Sequence, residues 1–230
     1  MLDILFHDDY LAIVHKPAGW LVHRTPLDKG ESRFVLQALR DQIGQPVWPV
    51  HRLDKGTSGV LVFGLSAEVA SALGQAFESG MGLHKSYRAI VRGWPADEQF
   101  IDHPLKRMRD DMRNQREEVQ SAQTRLRTLR RGELPIAQGT FPTLRWAEVE
   151  LQPLTGRRHQ LRRHMKHIAH PIMGDATHGK GPLNRAVAAH QGMGRLWLHA
   201  WQLHLLHPAH AQPLDVTAPL PQEWGLWNAF

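Results

Sequence analysis

The sequence predicts an α+β fold built around one large, mixed but mostly antiparallel sheet flanked by helices and loops. Three observations predict it. Segments with the period of a strand are interspersed with segments of helical period, without the regular βαβ alternation of a doubly wound fold. Apolar residues make up 42% of the 230 positions, enough for a substantial buried core. No Gly/Ser linker, internal repeat or low-complexity tract interrupts the chain, so residues 1–230 are expected to form a single domain.

The elements follow in order. "ILFHDDYLAIVHKPAGW" reads as a strand, a turn at Asp8-Asp9, a second strand and a Pro-Ala-Gly turn. Ser32 is placed to cap a helix whose apolar face is Val35, Leu36, Leu39 and Ile43. "VLVFGL" (60–65) is a buried strand, and Ser66 caps a helix carrying Val69, Leu73, Ala76 and Phe77. "SYRAIVRGW" and "WAEVELQPL" alternate as strands, the second with Ala147, Val149 and Leu151 on one face. Residues 195–206 and "PLDVTA" complete the strand set. The stretch 103–143 is charged and weakly patterned, and is expected to be an insertion or mobile basic arm.

Composition excludes several classes. There is no cysteine, hence no disulfide framework, thiolate chemistry or Cys-based zinc site. The N-terminus lacks a basic n-region and a cleavage site, and the longest apolar run is far short of the ~20 residues that span a bilayer. A cytoplasmic protein with no membrane association is expected. Lys and Arg exceed Asp and Glu by 28 to 22, and the excess is clustered. No acid lies between Glu150 and Asp175, a stretch holding Arg157, Arg158, Arg162, Arg163 and Lys166. A second zone, Lys106–Arg131, carries nine basic residues against four acids. Charge runs are often solvated faces. Two such zones beside a neutral core instead favour a phosphate backbone as partner.

Two stretches have the composition of a site. "HRLDKGTSG" (51–59) sets one acid, Asp54, between Arg52 and Lys55 and closes with Thr57-Ser58-Gly59. It is compatible with a solvated turn or with a carboxylate held in a basic pocket. "TGRRHQLRRHMKHIAHPIMGD" (155–175) reads as a helix with Thr155 as N-cap and Leu161, Met165 and Ile168 on its apolar stripe. Arg158, Arg162 and Lys166, each four apart, form a basic row beside that stripe. His164, His167 and His170 recur by three, but the third rotates off the shared face, Pro171 follows it, and no carboxylate is nearby; no metal site is expected. "KGTSG" is not a P-loop and no Gly-x-Ser-x-Gly elbow occurs, which argues against ATP-dependent and serine-hydrolase chemistry. Only two tyrosines exist; Tyr87, on an alternating strand beside Lys85 and Arg88, is either core, a stacking platform or a proton carrier.

Taken in order, "HKPAGWLVH" (15–23), "HRLDKGTSGVLVFGLS" (51–66), "KSYRAIVRG" (85–93), "TGRRHQLRRHM" (155–165), "HPIMGD" (170–175) and "LHA…LHLLHP…PLDVTAPLP" (198–221) resemble the RluA-type pseudouridine synthases, which isomerise uridine in RNA. The resemblance spans nearly the whole chain, and six ordered blocks are specific where HRLD alone is not. "GWLVHR", "HIAHPIMGDATHG" and "LNR" resemble the branch that acts on position 65 of tRNA. The resemblance implies a pseudouridine-synthase-type catalytic domain over 1–230, without an appended N-terminal RNA-binding module. It implies Asp54 as the catalytic carboxylate, Arg162 as its cationic partner and Tyr87 as the ring that packs on the target base and a candidate for proton transfer at C5. Arg52 is implied to fill the space of the flipped nucleotide, while Thr57, Ser58 and Gly59 shape the loop. Arg158 and Lys166 are expected to contact substrate phosphates. No cofactor, metal or nucleotide is required, RNA is the partner, tRNA first, and a monomer is expected. His15 in place of the usual Asn, and Lys55-Gly56, depart from the family pattern away from its chemical positions. Two other readings stand beside this one: a synthase acting on ribosomal RNA or on both RNA types, and a non-catalytic RNA-binding protein on the same sheet.

Overall fold

The computed structural model describes residues 1–24, 30–108 and 118–227. The chain runs through β1 (Asp3–His7), β2 (Leu11–Lys16), α1 (Val35–Ile43), β3 (Trp48–Pro49), β4 (Ser58–Gly64), α2 (Ala67–Ser79) and β5 (His84–Arg92). It continues with β6 (Glu98–Asp102), β7 (Leu105–Lys106), β8 (Val119–Gln120), β9 (Gln123–Leu134), β10 (Leu144–Pro153), α3 (Gln160–His167) and α4 (Gly181–Gln191). It closes with β11 (Leu198–Leu206), β12 (Pro213–Thr217) and a short 3₁₀ turn, Gln222–Trp227. Backbone contacts group these into two compact units, the first comprising Met1–Tyr87 with the residues from Leu198 on, the second Arg88–Trp197. The expected class, α+β with a mixed and mostly antiparallel sheet flanked by helices and loops, is the one found.

In the first unit β2 is antiparallel to both β1 and β4, and β11 is antiparallel to β12. β4 and β11 pair in parallel, through His199↔Ser58 and Ala200↔Gly59. Every residue of β4 is buried, which is why its sequence is an unbroken apolar run and not an alternation. Its side chains still divide by a period of two. Val60 and Val62 join Leu11, Ile13, Leu73, Leu203 and Val216 on one face, and Leu61 and Phe63 join Ala12, Val14, Val35 and Leu39 on the other. Helix α2 covers the first face with Leu73 and α1 the second with Val35 and Leu39. The Ser66 cap forms as expected, its hydroxyl accepting from the Val69 N–H at 3.2 Å. Ser32 does not cap; α1 begins at Val35 behind Phe34, which makes no side-chain cap bond.

In the second unit β9 pairs antiparallel with β10 over ten positions and with β6 on its other side. Part of the stretch expected to be an arm is therefore sheet: residues 123–134 are β9, one of the molecule's longest strands. The pattern reads as weak because arginines occupy the positions opposite acids of β10. Arg127 meets Glu150 at 2.6 Å and Arg130 meets Glu148 at 2.6 Å, and both glutamates are buried. Residues 109–117, including Arg113 and Arg116, lie outside the described residues. No helix of the described residues is long and apolar enough to cross a membrane.

Candidate active site

In the first unit, the loop 51–59 leaves β3 and enters β4, and distant partners fix it at His51, Lys55, Thr57 and Ser58. A turn closes through the Thr57 N–H, which donates to the Asp54 carbonyl at 3.0 Å. Lys16, at the end of β2, is fully buried, and its ammonium donates to the carbonyls of Pro17 (3.0 Å), Lys55 (3.1 Å) and Thr57 (2.7 Å). Gly19 N–H adds a bond to the Lys55 carbonyl at 2.8 Å. The "HKPAG" turn and the "HRLD" loop are thus clamped together, and the clamp grips the main chain just after Asp54, at Lys55 and Thr57. Charge-assisted bonds of this kind are roughly twice as strong as neutral ones.

The far end of the loop is anchored to β11. Ser58 and His199 are buried, with Oγ and Nδ1 2.8 Å apart. His199 Nε2 lies 3.2 Å from the Ala218 carbonyl, an acceptor only. That assigns the ring proton to Nε2 and makes Nδ1 the acceptor of the Ser58 hydroxyl proton. Gly59 has φ +112°, and a Cβ there would lie 2.0 Å from the Ala200 carbonyl oxygen. No side chain fits where β4 and β11 approach so closely. Thr57, Ser58 and Gly59 are all buried, and two of them pair with β11. Asp54 is half-buried at the turn and Arg52 is exposed.

His51 opens the loop. Its Nε2 accepts from the Val62 N–H at 3.2 Å, and its ring stacks on Phe77 with centroids 4.3 Å apart. An acceptor nitrogen cannot carry a proton, and burial, reinforced by the charge of Lys85, pushes the imidazole down to about 3 from its ordinary 6.5. The unfolded chain therefore binds a proton that the folded chain refuses between about pH 6.5 and 3. The stabilisation is complete above pH 6.5 and is lost as pH falls through that window. His51→Gln keeps an acceptor without a titration, and is expected to flatten the acid slope of stability there; chemical unfolding at a series of pH values checks it, and an unchanged slope would count against the buried neutral ring.

Tyr87 lies on β5, half-buried along its length. Burial pushes its hydroxyl up, and the neighbouring Asp54 carboxylate adds to the shift. The phenol stays protonated at neutral pH and is close enough to Asp54 to sense its charge.

In the second unit, Arg162 is buried on α3 and makes a bidentate pair with Asp175: Nε to Oδ2 and Nη2 to Oδ1, each 2.8 Å. The Thr177 and His178 N–H groups also donate to Asp175 Oδ1, at 2.9 and 2.8 Å. Burial pushes the Asp175 carboxyl up, but the Arg162 bonds and charge and the two N–H donors outweigh it, and the net shift is down. The helix itself begins later than expected. Thr155 is not its cap; its hydroxyl donates to Gln160 Oε1 at 2.7 Å, and α3 starts at Gln160 behind His159, at φ 54°. Arg158 thus precedes the helix, and the expected basic row is broken. Arg158 and Lys166 are exposed while Arg162 points inward. Of the spaced histidines, His164 is buried with both ring nitrogens engaged, by Thr124 Oγ1 at 2.9 Å and the His103 carbonyl at 3.0 Å. Among the described residues no group of three or more His, Asp or Glu is arranged to hold a metal ion.

A family model described as RNA pseudouridylate synthase matches residues 10–167, which include the HRLD loop, Tyr87 and all of α3. The chain belongs to the RNA pseudouridylate synthase family. It is 51% identical to a "tRNA pseudouridine synthase C" of Vibrio cholerae, covering all of this chain and 96% of the relative. It is 49% identical to the protein of that name from Salmonella typhi, over 97% of this chain and 87% of the relative. Among solved structures it resembles Human RNA Pseudouridylate Synthase Domain Containing 1 (TM-score 0.73, 26% identity, 96% of this chain and 84% of that one). It also resembles Human RNA Pseudouridylate Synthase Domain Containing 4 (TM-score 0.72, 29% identity, 97% and 90%). This pseudouridine synthase is therefore an isomerase acting on uridine in RNA, with the fold its relatives share.

Three residues of the synthase escaped sequence reasoning. Lys16, His199 and Asp175 sit inside the quoted blocks "HKPAG", "LHA" and "HPIMGD", so the signal was present as a motif. Nothing in the spelling of those blocks says that Lys16 grips the HRLD loop, that His199 receives Ser58, or that Asp175 holds Arg162.

Proposed function

We propose that this synthase isomerises a uridine in the acceptor-side stem of tRNA, at position 65, working as a single-domain cytoplasmic monomer without cofactor. The observation that carries the substrate is the near-full-length identity, about half of all positions, to relatives named for tRNA. Asp54 is the catalytic carboxylate, and Arg162 is the cationic residue that the family resemblance assigns to the same chemistry. The bond from C1′ to N1 breaks, the uracil rotates, C1′ joins C5, and the proton on C5 leaves while N1 gains one. The product is an isomer of the substrate, so no oxidant, water or phosphoryl donor enters the balance.

The main-chain clamp around Asp54 supports its role, because catalysis by a positioned carboxylate needs a loop that does not move when the base arrives. Tyr87 packs its ring on the target base. Its hydroxyl, held protonated by burial and by Asp54, is suited to donate a hydrogen bond and ill suited to remove the C5 proton. Exposed Arg52 fills the space left by the flipped nucleotide, and exposed Arg158 and Lys166 meet phosphates. Extruding a stacked base costs a few kcal/mol, which phosphate contacts offset. Arg127 and Arg130 answer to acids of their own sheet.

Pseudouridine mapping of total RNA from cells with and without the gene tests the proposal. Loss of one mark in the tRNA acceptor-side stem is the expected result. A mark lost from ribosomal RNA instead would move the substrate, and no lost mark would favour the non-catalytic reading.

A further inference from the structure

Lys85 carries a charge that the protein does not answer. It is half-buried on β5 two residues before Tyr87, so both side chains leave the same face of the strand. Its ammonium lies 5.6 Å from the centroid of the Phe77 ring, the ring on which His51 stacks. His51 is the neighbouring titratable group, and it is neutral, because its Nε2 accepts from Val62. Among the described residues no carboxylate, carbonyl or hydroxyl takes the Lys85 ammonium, and burial pushes it below the usual lysine range with no anion opposing the shift. The contrast with Lys16 is direct. That fully buried lysine is given three carbonyls. An aromatic ring attracts a half-buried cation only weakly, and it offers no charge to neutralise it.

We propose that Lys85 binds a backbone phosphodiester of the target nucleotide, so that the RNA supplies the anion missing from the free protein. The inference rests on the reading that the target base lies against Tyr87. Same-face neighbours on a strand are about 7 Å apart, which is the order of the span from a base to its own phosphate. The ammonium is already partly desolvated, so little water has to be removed when the phosphate docks, and the low local dielectric strengthens the pair. The contact also explains why the cation is tolerated: it serves the bound state at the expense of the free one.

The experiment pairs an affinity with a stability measurement on Lys85→Met, which keeps a long apolar stem, and on Lys85→Arg, which keeps the charge. Binding of a tRNA transcript is followed across a salt series. K85M is expected to bind roughly tenfold more weakly at 0.1 M salt, with a log–log salt slope shallower by about one. Its unfolding midpoint is expected to hold or to rise, because an uncompensated cation has been removed. K85R is expected to keep the parental slope. Unchanged affinity and slope in K85M overturn the role, as does a fall in midpoint with affinity unchanged, which would make Lys85 a packing residue. Wild-type pseudouridine formation on the same transcript is scored in parallel. An inactive wild type overturns the substrate reading, whereas an active wild type with an unaltered K85M slope overturns only the assignment of Lys85.

Discussion

Asp54→Asn is expected to abolish isomerisation, by on the order of a thousandfold or more, as losses of single essential groups do, while RNA affinity stays within a few-fold. The two halves of this expectation have separate causes. The loop that presents Asp54 is held through main-chain carbonyls taken by Lys16, through the Thr57 N–H on the Asp54 carbonyl, and through Ser58 on His199. An isosteric amide leaves all of these in place, so the loop keeps its shape. What it removes is the negative charge, which is the part that chemistry at the glycosidic bond requires. Affinity for a structured RNA is dominated by phosphate contacts, which a neutral Asn does not weaken. Single-turnover assays at saturating enzyme measure the chemical step apart from binding. Activity within tenfold of the parent would remove Asp54 from its role.

Arg162→Ala is expected to cut turnover heavily and to destabilise the fold by ~3–5 kcal/mol, the usual cost of breaking a buried pair by removing one partner. The structure identifies a carboxylate that would be stranded. Asp175 has a side chain with no exposed surface, and among the described residues Arg162 supplies two of the four donors on its oxygens. The Thr177 and His178 N–H groups would remain, but they cannot neutralise a buried charge. Arg163→Ala is the control. Arg163 is only half-buried and gives one Nη1 bond to the Lys106 carbonyl at 2.9 Å, so its loss is expected to cost about 1 kcal/mol. Urea unfolding measures the stabilities, and turnover is read at a temperature where circular dichroism shows both variants folded. If Arg163→Ala does the damage and Arg162→Ala does none, the wrong arginine of the pair has been assigned.

The sequence by itself determined the class of fold, the strands and helices with a clear period, and the residue types available to the site. Each is carried by local information. The buried strand β4 is legible because seven consecutive residues share one environment, and the Ser66 cap because donor and acceptor are three residues apart. Six motif blocks in order carry the family because many independent positions agree. The arginines of β9 misled for the same reason that β4 did not. Their partners, Glu148 and Glu150, lie on another strand, so a paired sheet face and a solvated basic arm are spelled alike.

Only the tertiary structure decided which groups answer which charges. Lys16 reaches carbonyls about forty residues away, and Ser58 finds His199 at a separation of 141. Arg162, drawn by helical spacing into a row with Arg158 and Lys166, turns inward to Asp175, because the chain after α3 doubles back through Gly174. At Gly174 φ is +73° and a Cβ would lie 1.7 Å from the Arg195 carbonyl oxygen. A desolvated charge must find its opposite or a set of dipoles, and chain folding chooses among many that composition leaves equivalent. Periodicity tells which side of an element is buried. It does not tell what stands across from it, and for an ionisable group that neighbour decides whether it holds the fold together, as Lys16 does, or stands ready for a substrate, as Lys85 does.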